Sequence, residues 1–242
     1  SKVKNAHKFF YIITIRKLKV QNKTFLMNDL IWDFLVGLKE IRMAKATMKN
    51  KELIIQHLQY PFCHTILYNF FEKSTLKRVL CELEALTKVH NIDDHHKSLL
   101  NKFNTEPFCL DDIYKNRRNE SSILFATQRI IELQLGEYGR LNPFLYYLPL
   151  TNKDTTFVQR YRRGSSYENH HDKAVLTCLY SIKVKEYTGG DLIFSRYNYM
   201  PHTPHNSCLI FPSYETHRVS EVSSKTNDPV RYSINRRYYI NT

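Results

Sequence analysis

The sequence predicts an α+β chain that is mainly β, a sandwich or jelly roll flanked by helices and preceded by a basic N-terminal extension. Three observations predict it. Past Pro143, seven short apolar runs separated by turn residues fill the rest of the chain, from "FLYYLPL" to "RYSINRRYYI". Ahead of them, residues 72–89 and 122–135 repeat their apolar positions at helical spacing. The charge is uneven: residues 1–50 hold 11 Lys or Arg against Asp29, Asp33 and Glu40, so +8 of the net +13 lies in that segment.

In chain order, residues 9–20 alternate loosely and are rich in Ile, Tyr and Phe, which predicts a strand. Asn28 or Asp29 can cap a helix, and Leu26, Leu30, Ile31, Phe34, Leu35 and Leu38 recur at helical spacing. Residues 44–51 read as a polar linker. The boundary is therefore set at a 1–51 extension and a 52–242 main domain, with 52–142 as helical support and insertion and 143–242 as the β core. "IIQHLQYPFCHTILYNFF" predicts one or two strands and a turn. Residues 90–118 are polar and irregular, which predicts a long loop or insertion.

Composition excludes several classes. No apolar run nears the roughly 20 residues that cross a bilayer, and no secretory leader is evident, so a cytoplasmic location without a membrane partner is expected. Five cysteines with no C-x-x-C pair argue against a disulfide framework or zinc ribbon. The basic segment could track a nucleic acid, or be a solvated face. Oligomeric state is left open.

The chemistry starts at Asn169-His170-His171-Asp172. On a strand, alternate residues share a face, so His170 and Asp172 point together and His171 points away. A His-x-Asp pair offers a metal one nitrogen and one oxygen; His217, after a later apolar run, supplies a second imidazole. Two His and one carboxylate form the facial set that suits Fe(II) and leaves positions for a chelating cosubstrate and O2. Arg231 lies fourteen residues past His217, with Ser233 two further on the same face. A guanidinium fork matches the far carboxylate of 2-oxoglutarate, and Ser233 adds a hydroxyl. Asp172, where Gly or Ala would open a halide position, favours hydroxylation.

These residues resemble the prolyl-4-hydroxylase-type 2-oxoglutarate oxygenases from about Tyr60 onward. "YRRGSSYENHHD" carries Tyr161, Gly164, Tyr167, His170 and Asp172 of their Tyr-x-x-Gly-x-x-Tyr-x-x-His-x-Asp pattern; "YTGGDLIF" and "RYSINRRYYI" resemble later strands. The resemblance implies a double-stranded β-helix flanked by helices. It implies Fe(II), 2-oxoglutarate and O2, with ascorbate as an optional addition. It implies Tyr161 and Tyr180 near the cosubstrate, and Tyr167 and Asn169 toward substrate. Arg163 and Arg237, with Arg162 and Arg236, are placed near the barrel ends, where they could attract an acidic substrate. The family has Gly after the proline that precedes the second-His strand; Pro204-His205-Asn206 departs from this, and Asn is expected to keep left-handed geometry. The function implied is C–H hydroxylation, of a prolyl or similar residue in a peptide or protein, or of a small molecule, with release of succinate and CO2. The alternatives are a nucleic-acid oxygenase using residues 1–50 and a silent binding module.

Overall fold

The computed structural model describes residues 11–13, 41–48, 51–89 and 105–241. The predicted helix over residues 26–38 and the loop residues 90–104 lie outside the described residues, as does most of the strand expected over 9–20.

Among the described residues, nine strands form one sheet. In chain order they are β1 (Tyr11–Ile13), β2 (Ile41–Met48), β3 (Lys51–Leu58), β4 (His64–Tyr68), β5 (Glu106–Cys109), β6 (Lys153–Tyr161), β8 (Leu176–Lys183), β11 (Ser207–Pro212) and β14 (Arg231–Tyr239), interrupted by strands of the smaller sheets. Their spatial order is β1-β2-β3-β4-β11-β8-β14-β6-β5. Only β1 and β2 run parallel within it. β7 (Tyr167–His170), β10 (Leu192–Phe194) and β12 (His217–Val219) make a second sheet, ordered β10-β12-β7. β9 (Thr188–Gly189) pairs with β13 (Val222–Ser223). The small sheet closes over one face of the large one, the jelly-roll arrangement.

Side chains alternate between two cores, as a period of two requires. On β8, Cys178, Tyr180 and Ile182 join the core that faces the helices, while Leu179 joins the core between the sheets. On β11, Cys208 and Ile210 face the helices, and Leu209 and Phe211 face inward. The helix-side core takes Val79, Leu83 and Leu86 from α1 (Lys73–Val89) and Ile123, Leu124 and Ile130 from α3 (Ser122–Glu132). Ser121 caps α3 by accepting from the Leu124 N–H at 3.0 Å. Glu82 on α1 accepts from the Ser121 hydroxyl and the Ile123 N–H, tying the two helices together.

Three expectations are corrected. Residues 44–48 and 51 are no linker: they belong to the antiparallel pair β2 and β3, whose register runs from Ile41↔Leu58 to Met48↔Lys51. Polar strand residues were read as a connector because the ladder partner was not visible locally. From residue 106 on, the stretch expected as a long loop or insertion is ordered: it forms β5, α2 (Leu110–Tyr114) and a 3-10 turn (Lys115–Glu120). "FLYYLPL" is not a strand but part of a 3-10 helix, Pro143–Leu150. Pro143 starts it without needing an N–H donor, and the Asn142 side chain caps it at Phe144. The Asn206 expectation is met. Its φ is +61°, and its amide also bonds both the N–H and the carbonyl of Phe71 at 2.9 Å. Cys178 and Cys208 are buried, and all five thiols are free. Among the described residues, no helix is long and apolar enough to cross a membrane.

Candidate active site

β7 and β12 are antiparallel partners, and their register sets His170 directly opposite His217. The ring centroids are 4.3 Å apart. Asp172 sits just past β7, where its N–H donates to the Ser213 carbonyl at 2.9 Å and fixes the loop. One candidate ligand atom from each of His170, Asp172 and His217 lies within 4.8 Å of the others.

The tautomers are set by the backbone. His170 Nδ1 lies 2.9 Å from the Glu168 carbonyl, and His217 Nδ1 lies 2.8 Å from the Glu215 carbonyl. A carbonyl can only accept, so each Nδ1 carries the proton and each Nε2 is left with its lone pair. Burial, reinforced by the neighbouring His170, lowers the His217 pKa to about 4; burial also lowers that of His170. Both rings are therefore neutral donors at neutral pH, the form a metal needs.

Asp172 is 3% exposed and held at both oxygens. Thr177 donates to Oδ2 at 2.7 Å, and its hydroxyl is shared with Ser213 at 2.9 Å. The Arg237 guanidinium lies 2.6 Å from Oδ1 as an ion pair. Its other face lies 4.7 Å over the Phe157 ring. Tyr167 packs 4.4 Å from His170, centroid to centroid.

The polar stripe of β14 runs from this triad down the inner face: Arg237, Asn235, Ser233 and Arg231, all facing the small sheet by alternation. Arg231 is buried, with its guanidinium 4.8 Å over the Tyr161 ring and donating to the Gly190 carbonyl. Its Nε has no acceptor, which leaves donor capacity for a carboxylate inside the barrel. Ser233 donates to Gln159 at 2.9 Å, across the β14–β6 register. Tyr161 is buried beside Arg231; burial raises its pKa, so its hydroxyl stays a donor. Gly190 has φ +65°, and a Cβ there would lie 2.9 Å from Val222 and 3.4 Å from the Arg231 guanidinium. Glycine meets two needs at this turn, the positive φ and the close approach of Val222.

Two expected site residues lie elsewhere. Tyr180 faces the helices, edge-on to Phe70 and stacked on Phe71, with its hydroxyl donating to the Thr127 carbonyl. Thr177 points inward and Tyr180 is three residues on, so alternation turns it out. Arg236 is likewise on the helix side, bonded to Asp154, Leu124, Thr127 and Gln128. It is a buried structural cation, unavailable to substrate. His171 and Asn169 are exposed at the rim, where Asn169 accepts from Ser195. Arg163 is exposed beside the Gly164 turn. Asn235 and Gln159 were missed, although β14 parity with Arg231 marks Asn235.

A family model, described as the 2OG-Fe(II) oxygenase superfamily, matches residues 156–239. That span runs from β6 through the whole triad to the end of β14. The match therefore covers the part of the chain that carries the triad. The chain is accordingly a 2-oxoglutarate-dependent dioxygenase, with Fe(II) and 2-oxoglutarate as its cofactor and cosubstrate. No curated protein matches it. Solved structures give distant likenesses. A viral collagen prolyl hydroxylase from Paramecium Bursaria Chlorella virus-1 is 13% identical, with a TM-score of 0.48 over 72% of this chain and 94% of that one. A Pseudomonas putida prolyl-4-hydroxylase is 12% identical, with 0.47 over 74% and 93%. NgTET1 in complex with 5mC DNA is 14% identical, with 0.38 over 74% and 72%. The donor set of the oxygenase suits its metal: two neutral imidazoles and a carboxylate match the ligand preference of non-haem Fe(II).

Proposed function

We propose that His170 Nε2, Asp172 Oδ1 and His217 Nε2 hold Fe(II), and that Arg231, with Tyr161 and Ser233, holds the far carboxylate of 2-oxoglutarate. The observation that carries this reading is the pair of Nδ1–carbonyl bonds, which leaves both Nε2 atoms free beside Asp172. Bound iron supplies the redox chemistry: oxidative decarboxylation of 2-oxoglutarate to succinate and CO2, coupled to insertion of one O2 oxygen into a substrate C–H bond. The protein's part is orientation. Thr177 fixes one Asp172 oxygen, so the other is presented to the metal. Arg237, beside that oxygen, offers a cation to the keto-acid end of the cosubstrate. Arg231 anchors the opposite end and sets how deep the molecule sits.

The substrate proposed is a prolyl or similar residue in a peptide or protein, supported by the Tyr161-to-Asp172 motif. The +8 excess in residues 1–50 favours a second reading, a nucleic-acid substrate. Salt-sensitive oligonucleotide binding that disappears on deleting residues 1–50 would support it. The main test is succinate production from labelled 2-oxoglutarate, with mass spectrometry of peptide and oligonucleotide pools for a gain of one oxygen. Turnover abolished in Asp172→Ala and His217→Ala is expected; full turnover in a folded Asp172→Ala variant would sink the ligand assignment.

A further inference from the structure

Three segments, residues 169–175, 195–200 and 213–216, converge around the triad. The Asp172 N–H donates to Ser213, the Ser213 N–H to Val175 at 3.2 Å, and the Ser195 N–H to Thr216 at 3.1 Å. The Ser195 hydroxyl donates to Asn169. What these segments turn toward solvent is aromatic and cationic. Tyr214 is 57% exposed, with its ring 6.0 Å from Phe144. Tyr197 stacks on Phe62 at 5.3 Å, and Arg196 lies 5.5 Å over the Tyr197 ring. Lys173, His171 and Met200 are exposed. The carboxylates in the three segments are Asp172 and Glu215. Both are 3% exposed; Asp172 faces the triad and Glu215 accepts from the Tyr197 hydroxyl at 3.3 Å. Glu168, adjacent in sequence, lines a groove with Arg218 and Ser220 on the outer side of the small sheet. No solvent-facing carboxylate within the three segments offsets Arg196 and Lys173.

We propose that this rim docks an extended acidic peptide, with a proline ring on Tyr214 and an Asp or Glu side chain on Arg196 or Lys173. The inference rests on the peptide form of the function proposed above and names the sequence context it selects. Aromatic faces accept the flat, preformed surface of a proline-rich strand. Buried carboxylates and exposed cations make the rim complementary to acid. A single-stranded nucleic acid would need a run of cations tracking successive phosphates. The three segments hold Arg196 and Lys173, which is too few for such a track.

The test uses the full chain with Mn(II) and 2-oxoglutarate, and fluorescence anisotropy of three probes. These are a proline-containing peptide with Glu flanks, the same peptide with Lys flanks, and an oligo-dT strand. The Glu-flanked peptide is expected to bind about tenfold more tightly than the Lys-flanked one. Arg196→Glu should erase or invert that preference, and Arg196→Ala should reduce it. Tyr214→Ala should weaken both peptides by about tenfold. Substrate-free succinate formation should stay unchanged in all three variants. Equal affinity for the two peptides, or an unchanged preference in Arg196→Glu, overturns the rim. So does an oligonucleotide that binds more tightly than either peptide and is lost in the same variants. A wild-type chain that binds neither Mn(II) nor 2-oxoglutarate overturns the active-site reading and the rim together. Intact binding of both without peptide preference overturns the rim alone.

Discussion

Arg237 and Asp172 form an ion pair at 2.6 Å, made between the last strand of the large sheet and the loop that follows His170. It joins a cation to the carboxylate proposed as an iron ligand, from six residues beyond Arg231 on the same strand face. Without metal, Arg237 is the cation closest to hand for a carboxylate that is almost wholly buried. Breaking such a buried pair by removing one partner costs about 3–5 kcal/mol, because the other charge is left uncompensated. Arg237→Ala should therefore lower the melting temperature of the metal-free protein by several degrees. Saturating Mn(II) should recover much of the loss by giving Asp172 another cation. An identical loss with and without Mn(II), measured by thermal unfolding, would show that the pair is unrelated to the metal position.

Thr177 acts on the same carboxylate from the other side. Thr177→Val keeps the shape but removes the donor to Asp172 Oδ2 and the link to Ser213. Loss of such an outer partner commonly weakens metal binding by about 10–100-fold. Co(II) titration should show that weakening with the fold intact. Unchanged Co(II) affinity would mean the hydrogen bond does not orient the ligand.

The Gly-Gly turn gives a graded pair. A Cβ at Gly189 would collide with the Glu221 carbonyl oxygen, a backbone atom just ahead of β13. At Gly190 it would crowd the Val222 side chain at 2.9 Å and only touch the Arg231 guanidinium at 3.4 Å. Gly189→Ala should chiefly lower stability. Gly190→Ala should cost less stability and raise the KM for 2-oxoglutarate, because the backbone shift that clears Val222 moves the carbonyl that accepts from Arg231. Equal effects of the two variants on KM would contradict this division.

His64 gives a pH prediction away from the proposed ligands. It is fully buried, with Nδ1 on the Phe62 carbonyl at 2.8 Å and Nε2 3.0 Å from the Tyr199 hydroxyl. Burial lowers its pKa to about 4. The unfolded chain, with an ordinary histidine value near 6.5, binds the proton first as pH falls. The folded state therefore loses stability from about pH 6.5 down to about pH 4, by about 3 kcal/mol for this one group. Denaturant unfolding of His64→Leu across that window should show a shallower dependence than wild type, whatever its stability at pH 7. A parallel slope would remove His64 from the acid response.

Much of the site was legible because the β period is short and strict. The His-x-Asp spacing pointed to His170 over His171, although Asp172 lies just past β7 and is placed by its backbone bond to Ser213. Three steps of two relate Arg231 to Arg237. The same parity, run from Thr177, excludes Tyr180, which the family resemblance alone had drawn in. What stayed hidden depends on closure in space. The contact of Arg237 with Asp172 requires β14 to lie across from the loop after β7, and sequence spacing carries no trace of that. The β2–β3 pair was hidden for a similar reason, since its polar residues become a strand only beside their partner. In Pro143–Leu150, Pro143, Pro149 and the Asn142 cap were visible signals. The apolar content of the run outweighed them.

The most direct test of the central claim is anaerobic titration of the full chain with Fe(II) and 2-oxoglutarate, followed by visible absorption. The account predicts a weak charge-transfer band that needs both components. It should vanish in Asp172→Ala and His217→Ala, and require more 2-oxoglutarate in Arg231→Ala. A folded wild-type protein that gives no band, or a band that survives in Asp172→Ala, would contradict it.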